Sequence, residues 1–357
     1  MTDLPDAGEI AGPDAVAPVD PAPPGPLEID SPPEFDGAPE PIGPSRPSLF
    51  SLEGRATPGL YLVGWIATLM GGGVLFVSVS SSNAGASPWL FLAGLLLLAL
   101  GLFAATGSQA VDRARRTDLA YRGPSPVLVL ITVVVVSWLA AIVLAPLSAL
   151  GLDTGSPVGV MVATAIIAAV YAGVVRMFVV GTGALSWGEM GLGGPTSPAV
   201  RELVLGLVLG VPIVALTLVL DGVFGRVLPV PASPMPVAAD ALGLVANAVT
   251  LMILAPLGQE LFFRGFATTA WALSSGTRAA IVRGALLFAI ARAATVSGAA
   301  FGDAAQLALV SFIGILPLGV ALGWVFLGRR SLYAAIGLHA AFGLAQLVVA
   351  ATLGRGL

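Results

Sequence analysis

The sequence predicts an all-α polytopic membrane protein of about nine transmembrane helices. Three observations lead there. Of the 357 residues, 57% are hydrophobic and only 10% charged, whereas a soluble domain carries about 25% charged residues. Apolar stretches of roughly 18–25 residues, enough to cross ~30 Å of hydrocarbon, recur along most of the chain. The arginines also gather on alternate connections between those stretches.

Residues 1–50 stand apart. Ten of the 20 acids and 13 of the 28 prolines fall there, beside a single base, Arg46. Such a segment cannot bury a core, so it is expected to be a disordered, acidic cytoplasmic tail. It lacks the basic-then-apolar order of a signal peptide. The apolar segments follow at roughly 58–80, 88–108, 126–149, 157–181, 202–224, 238–258, 279–297, 305–327 and 331–353. None shows the ~10-residue alternation of a membrane barrel. The division expected is 1–50 tail, 51–184 with about four N-terminal helices, and 185–357 as a C-terminal core.

All 16 basic residues are arginine. With the N-terminus in the cytoplasm, thirteen of them fall on or near the cytoplasmic side: Arg46, Arg55, Arg113, Arg115, Arg116, Arg122, Arg176, Arg201, Arg264, Arg278, Arg283, Arg329 and Arg330. Arg226 and Arg355 fall outside, and Arg292 lies within a span. This is the positive-inside pattern, and the expected location is a bacterial plasma membrane. Pro212, Pro256 and Pro317 lie within spans and should kink them. Gly206-x-x-x-Gly210 and Gly319-x-x-x-Gly323 have the spacing of close-packing motifs, although 45 glycines make chance matches expected.

There is no cysteine and only one histidine, His339. That excludes disulfides, a cysteine nucleophile and any two-histidine site within one chain. No basic patch with interleaved aromatics indicates nucleic acid. Ionisable groups at depth cost roughly 2.5–3.5 kcal/mol, so they tend to be paired and functional. Three C-terminal segments carry them: Glu260 and Arg264 at i,i+4 on one face, Arg292 four residues after Phe288, and His339 inside an apolar run. Asp221 and Asp240 are expected near the outer ends of their helices, and Asn247 in an interhelical hydrogen bond. Trp187, Trp271 and Trp324 are expected as interfacial anchors or packing.

The motifs read Gln259-Glu260-x-x-x-Arg264-Gly265, Phe288-x-x-x-Arg292 and His339-x-x-x-Gly343. Their order and gaps resemble the type II CAAX prenyl endopeptidase and bacteriocin-processing family (CPBP, or Abi). Its signatures are Glu-Glu-x-x-x-Arg, Phe-x-x-x-His and His-x-x-x-Asn or Asp. Ser331-Leu332-Tyr333-Ala334-Ala335-Ile336 and Trp187-Gly188-Glu189-Met190-Gly191-Leu192 resemble its flanking segments. The resemblance covers roughly 185–357. It implies an intramembrane endopeptidase core whose site comprises Gln259, Glu260, Arg264, Arg292 and His339.

Three of the four family positions that carry chemistry are changed. In the family the first Glu activates the hydrolytic water, and the two His and the Asn complete the site by binding a metal or stabilising the oxyanion. Gln259 has no useful basicity. Arg292 stays protonated and cannot ligate a metal. Gly343 offers no side chain. The site becomes about two charge units more positive, and one His with one carboxylate is too poor a set for zinc. No cofactor or metal is therefore expected. Arg292, needing an anion at depth, is expected to pair with Glu260 across helices.

Three functional readings follow. The first is a family homologue with lost or much reduced proteolysis and a binding or regulatory role in the membrane, with lipids and a membrane-associated peptide or protein as partners. In the second, an active endopeptidase uses Glu260 as base, with His339 and Arg292 stabilising the oxyanion. No feature indicates a prenylated substrate, and Gly354-Arg355-Gly356-Leu357 is no CAAX box. The third is a transporter, against which stand the missing internal repeat and the few polar residues on the other helices.

Overall fold

In a computed structural model, the described residues are 51–357 except 53–54, 57, 81–87, 147–150, 152, 194–195, 225–235, 297–300 and 354–357. The expected acidic tail, residues 1–50, lies outside them. Nine long helices are found among the described residues: α1 Pro58–Ser80, α2 Pro88–Ala114, α3 Pro126–Leu144, α4 Pro157–Val175, α5 Thr196–Phe224, α6 Ala241–Ser275, α7 Thr277–Ala293, α8 Phe301–Arg329 and α9 Leu332–Leu353. A two-residue antiparallel pairing, Ser51–Leu52 with Arg55–Ala56, precedes α1. The protein is an all-α integral membrane protein.

Each expected apolar segment folds as a helix, with shifted ends. Seven helices among the described residues are long and apolar enough to cross a membrane. The other two are shorter than these spans, among which α4 continues through the π-turn Arg176–Val180 to Val180. The 19-residue α3 is apolar throughout, and the 17-residue α7 carries Arg278, Arg283 and Arg292. The largest shift is at α6. Its expected end, 258, is only its midpoint, and the helix runs on through the Gln259–Gly265 motif to Ser275, 35 residues in all. Glu260 and Arg264 therefore sit mid-helix. Two π-turns, Thr250–Leu254 and Leu261–Thr268, flank the short α-helical stretch Ala255–Glu260. Such wide turns inside an α-helix re-aim side chains and recur at functional sites.

Burial along α6 explains its place. In the first half, Leu242, Val245, Ile253 and Leu257 are exposed, as befits a helix facing hydrocarbon. Residues 260–270 are buried without a break. A helix buried all round is a central one, and here α4, α7, α8 and α9 all pack on it. Phe262 and Phe263 meet Tyr171 of α4 with ring centroids 5.4 and 6.3 Å away, and Phe263 meets Phe288 of α7 at 5.2 Å. The outer surface carries large exposed apolar side chains such as Leu69, Phe76, Val208, Val219 and Trp324. A water-facing surface would not leave so many uncovered.

The Gly206–Gly210 spacing is a true packing motif. A Cβ placed on Gly206 of α5 would run into the Ala334 carbonyl of α9, and one on Gly337 of α9 would strike the Leu203 carbonyl of α5. The two backbones touch because neither position has a side chain, the small-residue mode of membrane helix association. This contact fixes the rotation of α9, and with it the direction in which His339 points.

Candidate active site

The site grows from one carboxylate. Glu260 is fully buried, and its Oε1 accepts a hydrogen bond from Arg264 Nη1, one turn along α6, at 3.2 Å. The same oxygen lies 2.6 Å from Nδ1 of His339 on α9. With Glu260 as the carboxylate partner of Arg264, Nδ1–H must donate, which leaves Nε2 as the free ring nitrogen. Arg264 is also fully buried, and its Nη2 donates to the Gly319 carbonyl of α8 at 3.2 Å. Its guanidinium lies over the Phe288 ring, 4.4 Å from the centroid. Phe288 in turn meets the His339 ring edge-to-face, with centroids 5.9 Å apart. The Glu260 carboxylate and the Arg264 guanidinium together tie four helices: the carboxylate joins α6 to α9 through His339, and the guanidinium reaches α7 at Phe288 and α8 at Gly319.

The geometry corrects one expectation. Glu260 does not pair with Arg292: it accepts from Arg264 and His339 instead. No hydrogen bond or ion pair among the described residues engages the Arg292 guanidinium. Phe288 is the α7 residue that reaches the cluster. Arg292 lies one turn further on, in the last turn of α7, where the helix dipole favours a cation and its carbonyl accepts from Thr295. Gln259 is half-buried beside Glu260 and makes no side-chain hydrogen bond among the described residues.

Gly343 presents a feature the sequence concealed. Its Cα is pressed against α6, so that an added Cβ would collide with the Leu251 carbonyl. The missing side chain has not left a gap: the backbone of the first π-turn fills its place.

Two buried polar atoms in the cluster, Glu260 Oε2 and Arg264 Nε, have no hydrogen-bond partner among the described residues. The donor set does not fit the metal that the family resemblance allowed. One carboxylate and one imidazole stand next to a guanidinium, which repels cations, and a tetrahedral zinc site takes three or four protein ligands.

The segment Trp187–Leu192 also reaches the site's surroundings. Ser186 and Glu189 form a reciprocal cap, Ser186 N–H donating to Glu189 Oε2 at 2.6 Å and Glu189 N–H to Ser186 Oγ at 3.2 Å. Gly191, at φ +79°, lies against the Leu332 amide, and Met190 packs on Gly265. The segment therefore wedges between the motif turn of α6 and the start of α9.

Residues 241–345 match the family model described as type II CAAX prenyl endopeptidase Rce1-like. This stretch, a little under a third of the chain, is similar to the CAAX endopeptidase family. The match begins with α6 and ends just after Gly343, so it takes in all three motifs. It is narrower than the 185–357 that the sequence resemblance covered, since Trp187–Leu192 and α5 fall outside it. No curated protein matches the chain, and no solved structure does. Within this matched stretch, His339, Arg264 and Glu260 form one connected cluster, and Gln259, Arg292 and Gly343 stand outside it.

Proposed function

We propose that this CAAX-family homologue has lost most or all proteolysis and acts in the membrane by binding a membrane-associated peptide or protein. The observation that carries this is the sharing of Glu260 Oε1. A general base must present its carboxylate to water, whereas this one is buried with one oxygen taken up by both Arg264 and His339. Beside it, Gln259 supplies no basicity, and the Gly343 position is closed by the Leu251 backbone. The arginine distribution supports a cytoplasmic N-terminus in a bacterial plasma membrane. Because the chain has no cysteine, thiol labelling of a Ser275→Cys variant in intact and broken cells tests that orientation without background.

The functional test is cleavage of a membrane-peptide library, read by mass spectrometry. Wild type, Glu260→Ala and the double change Gln259→Glu/Arg292→His are compared in the same membranes. Wild type is expected to match Glu260→Ala. Hydrolysis by wild type that Glu260→Ala abolishes would overturn the proposal.

One observation favours a second reading. Glu260 Oε2 is buried with no partner among the described residues, the position from which a carboxylate oriented by His339 would take a proton from water. On that reading the protein is an active endopeptidase, and Glu260→Gln and His339→Ala each remove turnover while the fold survives.

A further inference from the structure

Away from the Glu260 cluster, a cavity of about 400 Å³ at the start of α6 is lined mainly by apolar residues. A second cavity, of about 330 Å³, has a different character. It lies between the end of α2, the connection to α3, the last turn of α6 and the first half of α7. Arg113, Arg116 and Arg283 line it together with Ser125, Ser274 and Trp271. No carboxylate is among its lining residues.

The three guanidiniums have donors to spare. Arg113 uses one N–H on the Gly123 carbonyl at 3.4 Å, and Arg283 uses one on Ser275 Oγ at 2.7 Å. Arg116 lies 3.7 Å from the exposed Asp118 carboxylate, a loose surface pair of little worth. A guanidinium has five N–H donors in a fork that matches phosphate oxygens. Tyr121, also in the wall, gives its phenolic hydrogen to the Pro124 carbonyl at 3.0 Å. Burial pushes its pKa up, against a smaller opposing effect of Arg113. It is therefore a neutral wall, and the lining residues themselves carry three cations and no anion.

We propose that this cavity binds a phosphate group, carried by the headgroup of an anionic phospholipid. Phosphate is the chemistry that three arginines lining one cavity recognise, with the Ser125 hydroxyl beside them while that of Ser274 is taken up by the Ala270 carbonyl, and basic pockets between membrane helices take anionic headgroups. The neighbouring surface argues for a lipid over free phosphate. Val127 adjoins the lining residue Pro126 and Val282 adjoins the lining residue Arg283, Ile131 and Leu286 lie one turn further along α3 and α7, and all four are exposed. They offer acyl chains an apolar path away from the arginines, which a free phosphate would not use. Trp271 at the rim is the amphipathic residue type found at headgroup depth. The inference needs nothing from the protease-like cluster and stands whichever functional reading holds.

The test uses the full chain in detergent, titrated with phosphatidylglycerol or phosphatidylcholine of identical acyl chains and followed by native mass spectrometry. Wild type is expected to retain phosphatidylglycerol in preference to phosphatidylcholine. Each arginine removed should weaken the anionic lipid about fivefold, so the triple variant R113Q/R116Q/R283Q should lose on the order of a hundredfold. Arg201→Gln, an exposed arginine at the start of α5, should leave retention unchanged. Three results would each overturn the proposal: equal retention of the two lipids by wild type, an unaffected triple variant, or displacement of phosphatidylglycerol by an equal concentration of inorganic phosphate. The last would make free phosphate the ligand. Should the triple variant fail to fold, the single Arg113→Gln and the two-lipid comparison on wild type still decide the matter.

Discussion

Within the three motifs, Glu260, Arg264 and His339 have different surroundings from Gln259, Arg292 and Gly343. Glu260, Arg264 and His339 are buried and bonded to one another, with Phe288 stacked against two of them. Gln259 and Arg292 make no side-chain hydrogen bond among the described residues, and Gly343 is pressed against a neighbouring backbone. The difference teaches which constraint each position obeys. A buried, shared carboxylate cannot be altered without stranding a guanidinium and an imidazole, so these three residues hold the helices together whatever the chemistry. Gln259 and Arg292 carry no such burden, and Gly343 obeys a packing constraint instead.

The comparison breaks first at Glu260. Glu260→Ala leaves Arg264 buried without its carboxylate, and breaking a buried pair in this way costs about 3–5 kcal/mol. A large fall in thermal midpoint in detergent is expected; an unchanged midpoint would mean the cluster is no clamp. His339→Ala removes one hydrogen bond to a charged group and is expected to cost about 1.5–3 kcal/mol. The same melt checks it, and the loss should be smaller than that of Glu260→Ala because Arg264 keeps its partner. Gly343→Asn adds a side chain at a place with no room for it. Overpacking of this kind costs typically 1–3 kcal/mol, read as lower stability without gain of cleavage. A stable variant that cuts peptides would show that α6 gives way at Leu251. The smallest effect is expected at Arg292→Gln, within about 0.5 kcal/mol, as for a side chain outside any bonded network. A loss comparable to that of Glu260→Ala would place Arg292 inside the cluster after all.

Much of the fold was legible. Hydrophobic runs gave the nine helices, since burying or exposing ~20 apolar residues to lipid leaves the chain few alternatives. The i,i+4 spacing put Glu260 and Arg264 on one face, because helix geometry alone makes them neighbours, but their ion pair was not read from it. The end of α6 was missed because polar residues at 259–264 look like a helix terminus, whereas they are polar inside a buried bundle. The two π-turns left no readable trace. Gly206-x-x-x-Gly210 looked like a chance spacing among many glycines, and only the close approach of α5 and α9 distinguishes it. The basic cavity was visible only as a surplus of arginines on one side of the helices.

By itself the sequence determined the membrane class, the order of the helices, the absence of thiols and the inventory of ionisable groups: one histidine, one motif carboxylate and arginines in place of every lysine. These follow from composition and from distances along a single helix. Only the tertiary structure decided that His339, and not Arg292, meets Glu260, that Gly343 is sealed by Leu251, and that Arg113, Arg116 and Arg283 share a cavity. Each of these pairings depends on the rotation and depth of two helices relative to each other. Those are set by contacts such as Gly206 against Ala334, between residues more than a hundred positions apart in the chain.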